Sequence, residues 1–267
     1  MNQVPMLFNR PLVRRRRDRA AQEFEKHDFL FREMASRLCE RLEYIKRDFP
    51  TALDLAAKTG IIGQTLAGRG GVQTLVQAEF CEPLLKKSSG LRVVCDEEFL
   101  PFADDSFDLI LSVGSLHSVN DLAGTLAQIR RTLKPDGLFL AMLFGGHTLK
   151  ELRASFEGAE ISASGGVSPR ISPFIDARDG ANLLQRAGFS LPVADSEMLN
   201  VEYAHPLKLM HDLRGMGEAN ALYSRTKNFT PCSILMQAVD NYLRDFAGEN
   251  GRILASFELV TLTGWKP

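Results

Sequence analysis

"FPTALDLAAKTGIIGQTLAG", residues 49–68, is the stretch from which the rest of the chain is best read. Residues 52–56 form an apolar run of buried-strand length, and residues 61–68 carry a helical pattern. The join, "LDLAAKTG", has the form of a phosphate- or nucleoside-binding turn from which most of the glycine is missing. Outward from it, residues 74–78, 92–95, 107–113 and 138–144 are further strand candidates, separated by helical stretches near 80–87 and 121–133. Asn120 and Asp121 are placed to cap the second of these helices. Strands that are apolar throughout, alternating with helices, indicate βαβ units in a doubly wound parallel α/β sheet. In "LKPDGLFLAM", Leu133 ends a helix, Pro135 cannot continue it, and Asp136 and Gly137 turn the chain into the next strand.

The outer segments have a different character. Residues 1–47 read as a basic helical lead-in and residues 48–267 as the main domain. Beyond Gly146 come a helix over 148–157, a Gly/Ser/Pro-rich loop "SASGGVSPRISPF", and a helix near 176–187 stopped by Gly188. "EMLNVEYA" reads as a strand, residues 205–248 as a mostly helical insert that could cap a cleft, and "ASFELVTLTGWK" as the closing strand.

Composition narrows the function classes. With 267 residues, 45% hydrophobic, the chain can bury one large core or a core with a cap. A net charge of −1 gives no global attraction to nucleic acid or an anionic membrane, and no run of about eighteen apolar residues predicts a span. Arg10, Arg14, Arg15, Arg16, Arg17 and Arg19 crowd the lead-in. A basic arm that short suits a targeting sequence or an anion-binding patch. Asp18, Glu23 and Glu25, and the lack of an apolar h-region, favour a solvated helix start. Cys39, Cys81, Cys95 and Cys232 lack metal-ligand spacing and read as reduced, mostly buried thiols. The five histidines show neither HExxH nor His-x-Asp spacing, so no metal is expected.

In open α/β sheets, ligands sit beyond the carboxyl ends of the strands. Asp54 lies in the first such end, Glu79 ends the second strand, and Asp96 and Glu97 follow the third. Glu79 there could accept from two ribose hydroxyls, and Asp96 from the exocyclic amine of a purine. Such acids favour a nucleoside carrying a cation and repel a pyrophosphate. The alternative is that Asp54, Glu79 and Asp96 are solvated loop acids.

These residues also carry a family resemblance. "DLAAKTG", "VQAE", "CDEEFLPF", "FDLILSVGSLHSVNDL", "LKPDGLFLAMLFGGHTLKELR" and "GGVSPRISPF" together resemble the methyltransferase-fold complex I assembly factor of mitochondria and its bacterial relatives. That family is similar to the malonyl-carrier-protein methyltransferase of biotin synthesis. The resemblance runs from "LFNRPLVRRRRDRAA" to "GWKP". It implies a class I S-adenosylmethionine-dependent methyltransferase (Rossmann-like) fold of seven strands, the last antiparallel. It also implies that Asp54, Ala56, Lys58 and Gly60 lie in the first cofactor motif. Glu79 would then hold the ribose, Asp96 and Glu97 would flank the adenine, and Ser112 to His117 would lie by the methyl donor and acceptor. His117 is the one candidate base or orienter, against the plainer reading of a packed, hydrogen-bonded histidine. The resemblance further implies a protein partner in respiratory complex I, and mitochondrial members are described as arginine hydroxylases.

The chain departs from the family where relatives carry glycine, at Ala56 and Lys58, and where they often carry Trp, at Ser118. A β-carbon at Ala56 is tolerable if its φ is negative, and Lys58 is the more serious departure. The Lys58 side chain could occupy the space of the cofactor's methionine part or grip its carboxylate. An ammonium about 5 Å from a sulfonium would cost roughly 3 kcal/mol at an effective dielectric of 20. Four functions follow: an S-adenosylmethionine-dependent methyltransferase-fold protein acting on a protein partner, a methyltransferase of a small or carrier-bound carboxylate, a noncatalytic assembly chaperone with a degraded cofactor site, and an arginine hydroxylase as described for the mitochondrial members. Lys58 favours the third, whereas Glu79, Asp96 and Glu97 favour a pocket that still binds. A start directly in the basic lead-in favours the bacterial cytoplasm over the mitochondrial matrix.

Overall fold

In the computed structural model, which describes residues 6–267, seven strands form one sheet. They are β1 (Thr51–Leu55), β2 (Thr74–Glu79), β3 (Leu91–Val94), β4 (Phe107–Val113), β5 (Leu133–Phe144), β6 (Ser190–Tyr203) and β7 (Ile253–Trp265), in the order β3-β2-β1-β4-β5-β7-β6. The first five are parallel, and β7 runs antiparallel between β5 and β6. Strand order reverses about β1, so the carboxyl ends of β1 and β4 open side by side, with Leu55 opposite Ser112.

Burial follows from position in the sheet. β4 is almost wholly buried, as a parallel strand covered on both faces must be, whereas the edge strand β6 mostly alternates half-buried and exposed residues and buries only Tyr203. One face of the sheet is covered by α2 (Phe29–Arg41), α3 (Ile61–Leu66), α6 (Lys150–Ser164), α8 (Pro206–Gly215) and α9 (Cys232–Phe246). The other carries α5 (Leu122–Thr132) and α7 (Ala177–Arg186). In α2 the buried residues Leu30, Phe31, Met34, Ala35, Leu38 and Cys39 recur at helical spacing, so the lead-in contributes to the main core. Asp121 caps α5, accepting from Gly124 N at 2.8 Å.

Several elements differ from expectation. The basic start, α1 (Arg10–Ala20), is not a solvated helix: Arg10 and Arg17 are 6% and 2% exposed. Only the four residues of α4 (Glu82–Leu85) are helical in 80–87. Asp136 and Gly137 do not form a connecting loop, because β5 starts at Leu133, opposite Phe107, and bulges before resuming at Leu138 opposite Leu109. β6 begins at Ser190, well before "EMLNVEYA"; Pro192 and a register shift between Ser190 and Val193 conceal its start. Within the insert, residues 216–231 are irregular between α8 and α9, after Gly217 takes a φ of 80°. Among the described residues no helix is long and apolar enough to cross a membrane.

Candidate functional site

The turn after β1 keeps a left-handed geometry even where it lacks glycine. Ala56, Lys58 and Gly60 have φ values of 66°, 52° and 79°, so the negative φ that would make a β-carbon at Ala56 tolerable is not found. Each non-glycine residue there costs roughly 1–2 kcal/mol, which the surroundings must offset. They do so by binding the turn to β2: Ala57 N donates to Ala78 O at 2.9 Å, and Lys58 N to Glu79 Oε2 at 2.9 Å. A Cβ at Gly60 would lie 2.9 Å from Ser88 Cβ.

Lys58 turns its side chain into the crevice. Its Nζ donates to the carbonyls of Val113 (3.2 Å) and Gly114 (2.9 Å) at the end of β4, and stands 4.4 Å from the Phe31 ring centroid. Burial, reinforced by Arg17, pushes its pKa down. Asp54 lies beneath the turn, fully buried, with neither carboxylate oxygen partnered. Burial moves its pKa up to about 8, against the pull of Lys58, so its carboxyl is largely neutral at pH 7. Ser112 Oγ is likewise buried and unpartnered.

The acids at the ends of β2 and β3 converge as expected, but they meet cations from the same chain. Arg17 Nη1 donates to Glu97 Oε1 at 3.0 Å and to Glu79 Oε1 at 3.5 Å, and Nη2 donates to Ser115 Oγ at 3.1 Å. Arg10 binds both Asp96 and Glu97 and donates to Ser118 O at 3.2 Å. Ser115 Oγ donates to Glu97. Burial alone would raise the pKa of Glu97, yet Arg10 and Arg17 hold it far below the carboxylate range. Burial alone would lower that of Arg17, yet Glu97 and Glu79 hold it above its ordinary value. Glu79 is saturated, since it also accepts from Cys81 N at 2.9 Å.

His117 lies at the far side of this cluster. Its Nε2 is 3.1 Å from Glu218 Oε2, and its ring packs 4.9 Å and 5.4 Å, centroid to centroid, from Phe144 and Phe174. It borders a cavity of about 640 Å3 roofed by the loop after α6, α8 and residues 217–230. Of the acidic candidates, Asp54, Glu79, Asp96 and Glu97, none lines that cavity; of the others, His117 does and Lys58 and Ser112 do not.

Comparison with known proteins identifies the family and the fold. Residues 53–141, from β1 to the middle of β5, match the family described as Methyltransferase domain. The chain is 41% identical to "Arginine-hydroxylase NDUFAF5, mitochondrial" of Homo sapiens, over 97% of its own length and 77% of that protein. The chain belongs to the NDUFAF5 family. It is also 31% identical to the malonyl-[acyl-carrier protein] O-methyltransferase of Methylovorus sp., over 98% of its own length and 90% of that protein. Among solved structures, YcgJ of Bacillus subtilis is similar with a TM-score of 0.59 at 16% identity, covering 86% of this chain and 97% of that one. Phosphoethanolamine N-methyltransferase 2 of Haemonchus contortus, solved with S-adenosylhomocysteine, gives 0.56 at 17% identity, covering 96% and 60%. The fold is that of the class I methyltransferases.

S-adenosylmethionine, the cofactor such a fold implies, does not fit these residues as they stand. The oxygens that would take its ribose and adenine already accept from Arg10, Arg17 and backbone amides, and the Lys58 amine sits at the β1/β4 crevice. A sulfonium would join three cationic groups at a place where the acids are already paired. Sequence reasoning missed Arg10 and Arg17. The available signal was their spacing: Arg10, Val13, Arg17 and Ala20 share one helix face and are all buried. A second feature also escaped it: His27, His211 and Asp212 lie together, with Asp212 Oδ1 2.8 Å from His27 Nδ1 and accepting from Lys208 Nζ at 2.6 Å.

Proposed function

We propose that this NDUFAF5-family protein acts on a protein partner during assembly of respiratory complex I, and that its cleft takes S-adenosylmethionine once α1 is withdrawn. Family membership at 41% identity over nearly the whole chain supports the assembly role. The observation that carries the gated cleft is the Arg17 guanidinium lying among Glu79, Glu97 and Ser115, where a nucleoside would otherwise find its acceptors. The left-handed turn at residues 56–60 and the acids at the ends of β2 and β3 support a cleft that retains the cofactor's frame. In this reading Glu79 returns to ribose, Asp96 and Glu97 to adenine, and Asp54, Ser112 and Gly60 stay as buried framework. His117, held by Glu218, orients groups at the inner wall of the neighbouring cavity. The human relative is named as a mitochondrial protein, which supports the mitochondrial alternative for the compartment.

A second reading, an assembly chaperone that performs no chemistry, is favoured by the Lys58 amine, which fills the crevice without help from α1. Calorimetric titration with S-adenosylmethionine and S-adenosylhomocysteine separates the two, using wild type, Arg10→Gln/Arg17→Gln and Lys58→Gly. On the first reading the arginine variant binds at least about tenfold more tightly than wild type, as loss of competing charge-assisted hydrogen bonds requires. Binding by none of the three proteins refutes it and leaves the chaperone reading.

A further inference from the structure

The 640 Å3 cavity next to His117 lies within the roughly 300–1,000 Å3 usual for small-molecule pockets. Its wall is apolar and aromatic, built from Phe144, Leu152, Phe156, Phe174, Leu213 and Phe257. Its rim is cationic, carrying Arg16, Arg19, Arg214, Arg225 and Lys227. Among the described residues none of these five forms a salt bridge, whereas Arg170 on the same rim is paired with Glu160. Arg16 shows the imbalance most directly: its Nη1 is buried with no hydrogen-bond partner. Burial, together with Arg225 and Arg19, pushes its pKa down to about 10, the response of a cation placed among cations. The one carboxylate lining the cavity, Glu218, is engaged by His117. A buried Arg16 donor that lacks an acceptor, set among like charges that form no salt bridge, calls for an anion supplied from outside.

From this arrangement we infer that the cavity binds an amphipathic anion, a hydrocarbon or aromatic body against the phenylalanines with a carboxylate or phosphate head at Arg16 and Arg225. Phe229, 99% exposed on the rim, extends the apolar surface outward along the entry path. A guanidinium or ammonium head would meet like charge at the same place. The inference uses different side chains from the cofactor cleft and stands whether or not that cleft admits a nucleoside.

Dodecanoate and dodecyl phosphate serve as anionic probes of the full chain, with dodecanol and dodecylguanidine as neutral and cationic probes of the same chain length. In calorimetric titration both anions are expected to saturate one site per chain, and the guanidine to bind at least about tenfold more weakly. Arg16→Gln/Arg225→Gln should weaken the anions about tenfold or more and leave dodecanol unchanged, since neutral binding draws on the apolar wall alone. The head that loses more in that variant is the one the site is built for. Should the double variant fold poorly, Arg214→Gln/Lys227→Gln gives the same test from exposed positions, and Leu152→Asp, which puts a carboxylate into the apolar wall, should weaken binding of the anions and of dodecanol alike. Equal affinities for the anions and the guanidine, or no saturable site for either anion, overturns the proposal.

Discussion

Replacing Arg17 with Met tests whether the acids at the ends of β2 and β3 hold helix α1 in place. Arg17 is 2% exposed, and its guanidinium serves Glu97 at 3.0 Å, Ser115 at 3.1 Å and Glu79 at 3.5 Å. Removing one partner of a buried ion pair costs about 3–5 kcal/mol, chiefly because the other charge is stranded. Glu97 retains Arg10 and Ser115, and Glu79 retains two backbone amides, so the loss belongs at the lower end, about 3 kcal/mol. For a chain of this size that lowers the melting temperature by about 6–12 °C. The sign with pH follows from Glu97, whose folded pKa is depressed by Arg10 and Arg17. Its contribution is present above the unfolded carboxylate value near 4.3 and is lost as the pH falls through the folded one. Loss of Arg17 reduces that contribution, so the gap between wild type and variant, measured by urea unfolding, should be widest at pH 7 and shrink towards pH 3. A gap below about 1 kcal/mol at pH 7, the range of exposed pairs, or one that does not change with pH, would refute a buried Arg17 in the cleft.

Two further outcomes follow from buried titratable groups. Asp54, raised to about 8, holds its proton more tightly when folded, so its stabilising effect is complete below about pH 4 and is lost as the pH rises to about 8. Asp54→Asn should therefore flatten the decline in stability between pH 4 and pH 8 seen by urea unfolding, by up to about 5 kcal/mol (about 1.36 kcal/mol for each of four pH units); an unchanged slope would place the ionised form in the native protein. Cys39, Cys81 and Cys95 are buried, and burial pushes each up to about 12, whereas Cys232 is exposed. Ellman's reagent should titrate one thiol in the native chain and all four after unfolding.

The parallel half of the sheet is legible in sequence because each strand has a short apolar stretch bounded by turn residues, although for β5 that stretch covers only 138–144. The β1 turn is legible for the same reason, although the left-handed φ of Ala56 and Lys58 is not. Burial of α1 is not legible, because six arginines in ten residues look like a solvated helix until the acids they meet are brought near by the fold. The same separation hides the cavity: Arg16, Phe144, Phe174 and Arg225 come from four segments that no local pattern joins. Proximity across such distances depends on how the strand ends gather, which pattern reading supplies only as topology. The loop at 216–231 is hidden for a different reason, since its flanks are helical and only Gly217 and Pro231 mark its ends.

Helix α1 separates the two sites, and this couples them. Arg10 and Arg17 face the acids of the cleft, while Arg16 and Arg19, on other sides of the same helix, face the cavity. Withdrawal of α1 to free Glu79 and Glu97 would carry Arg16 away from an anion in the cavity, and an anion bound to Arg16 would hold α1 down. Each ligand must therefore weaken the other by the same factor, as linkage requires for binding at two sites that share one movable element. The measurement is S-adenosylmethionine affinity with and without saturating dodecanoate, in wild type and in Arg16→Gln. Weaker binding in the presence of dodecanoate, relieved in Arg16→Gln, is the expected result. Unchanged affinity in wild type would mean that α1 stays in place when the cleft fills, and the arginines of the cleft would then have to rearrange locally around the cofactor instead of leaving with their helix.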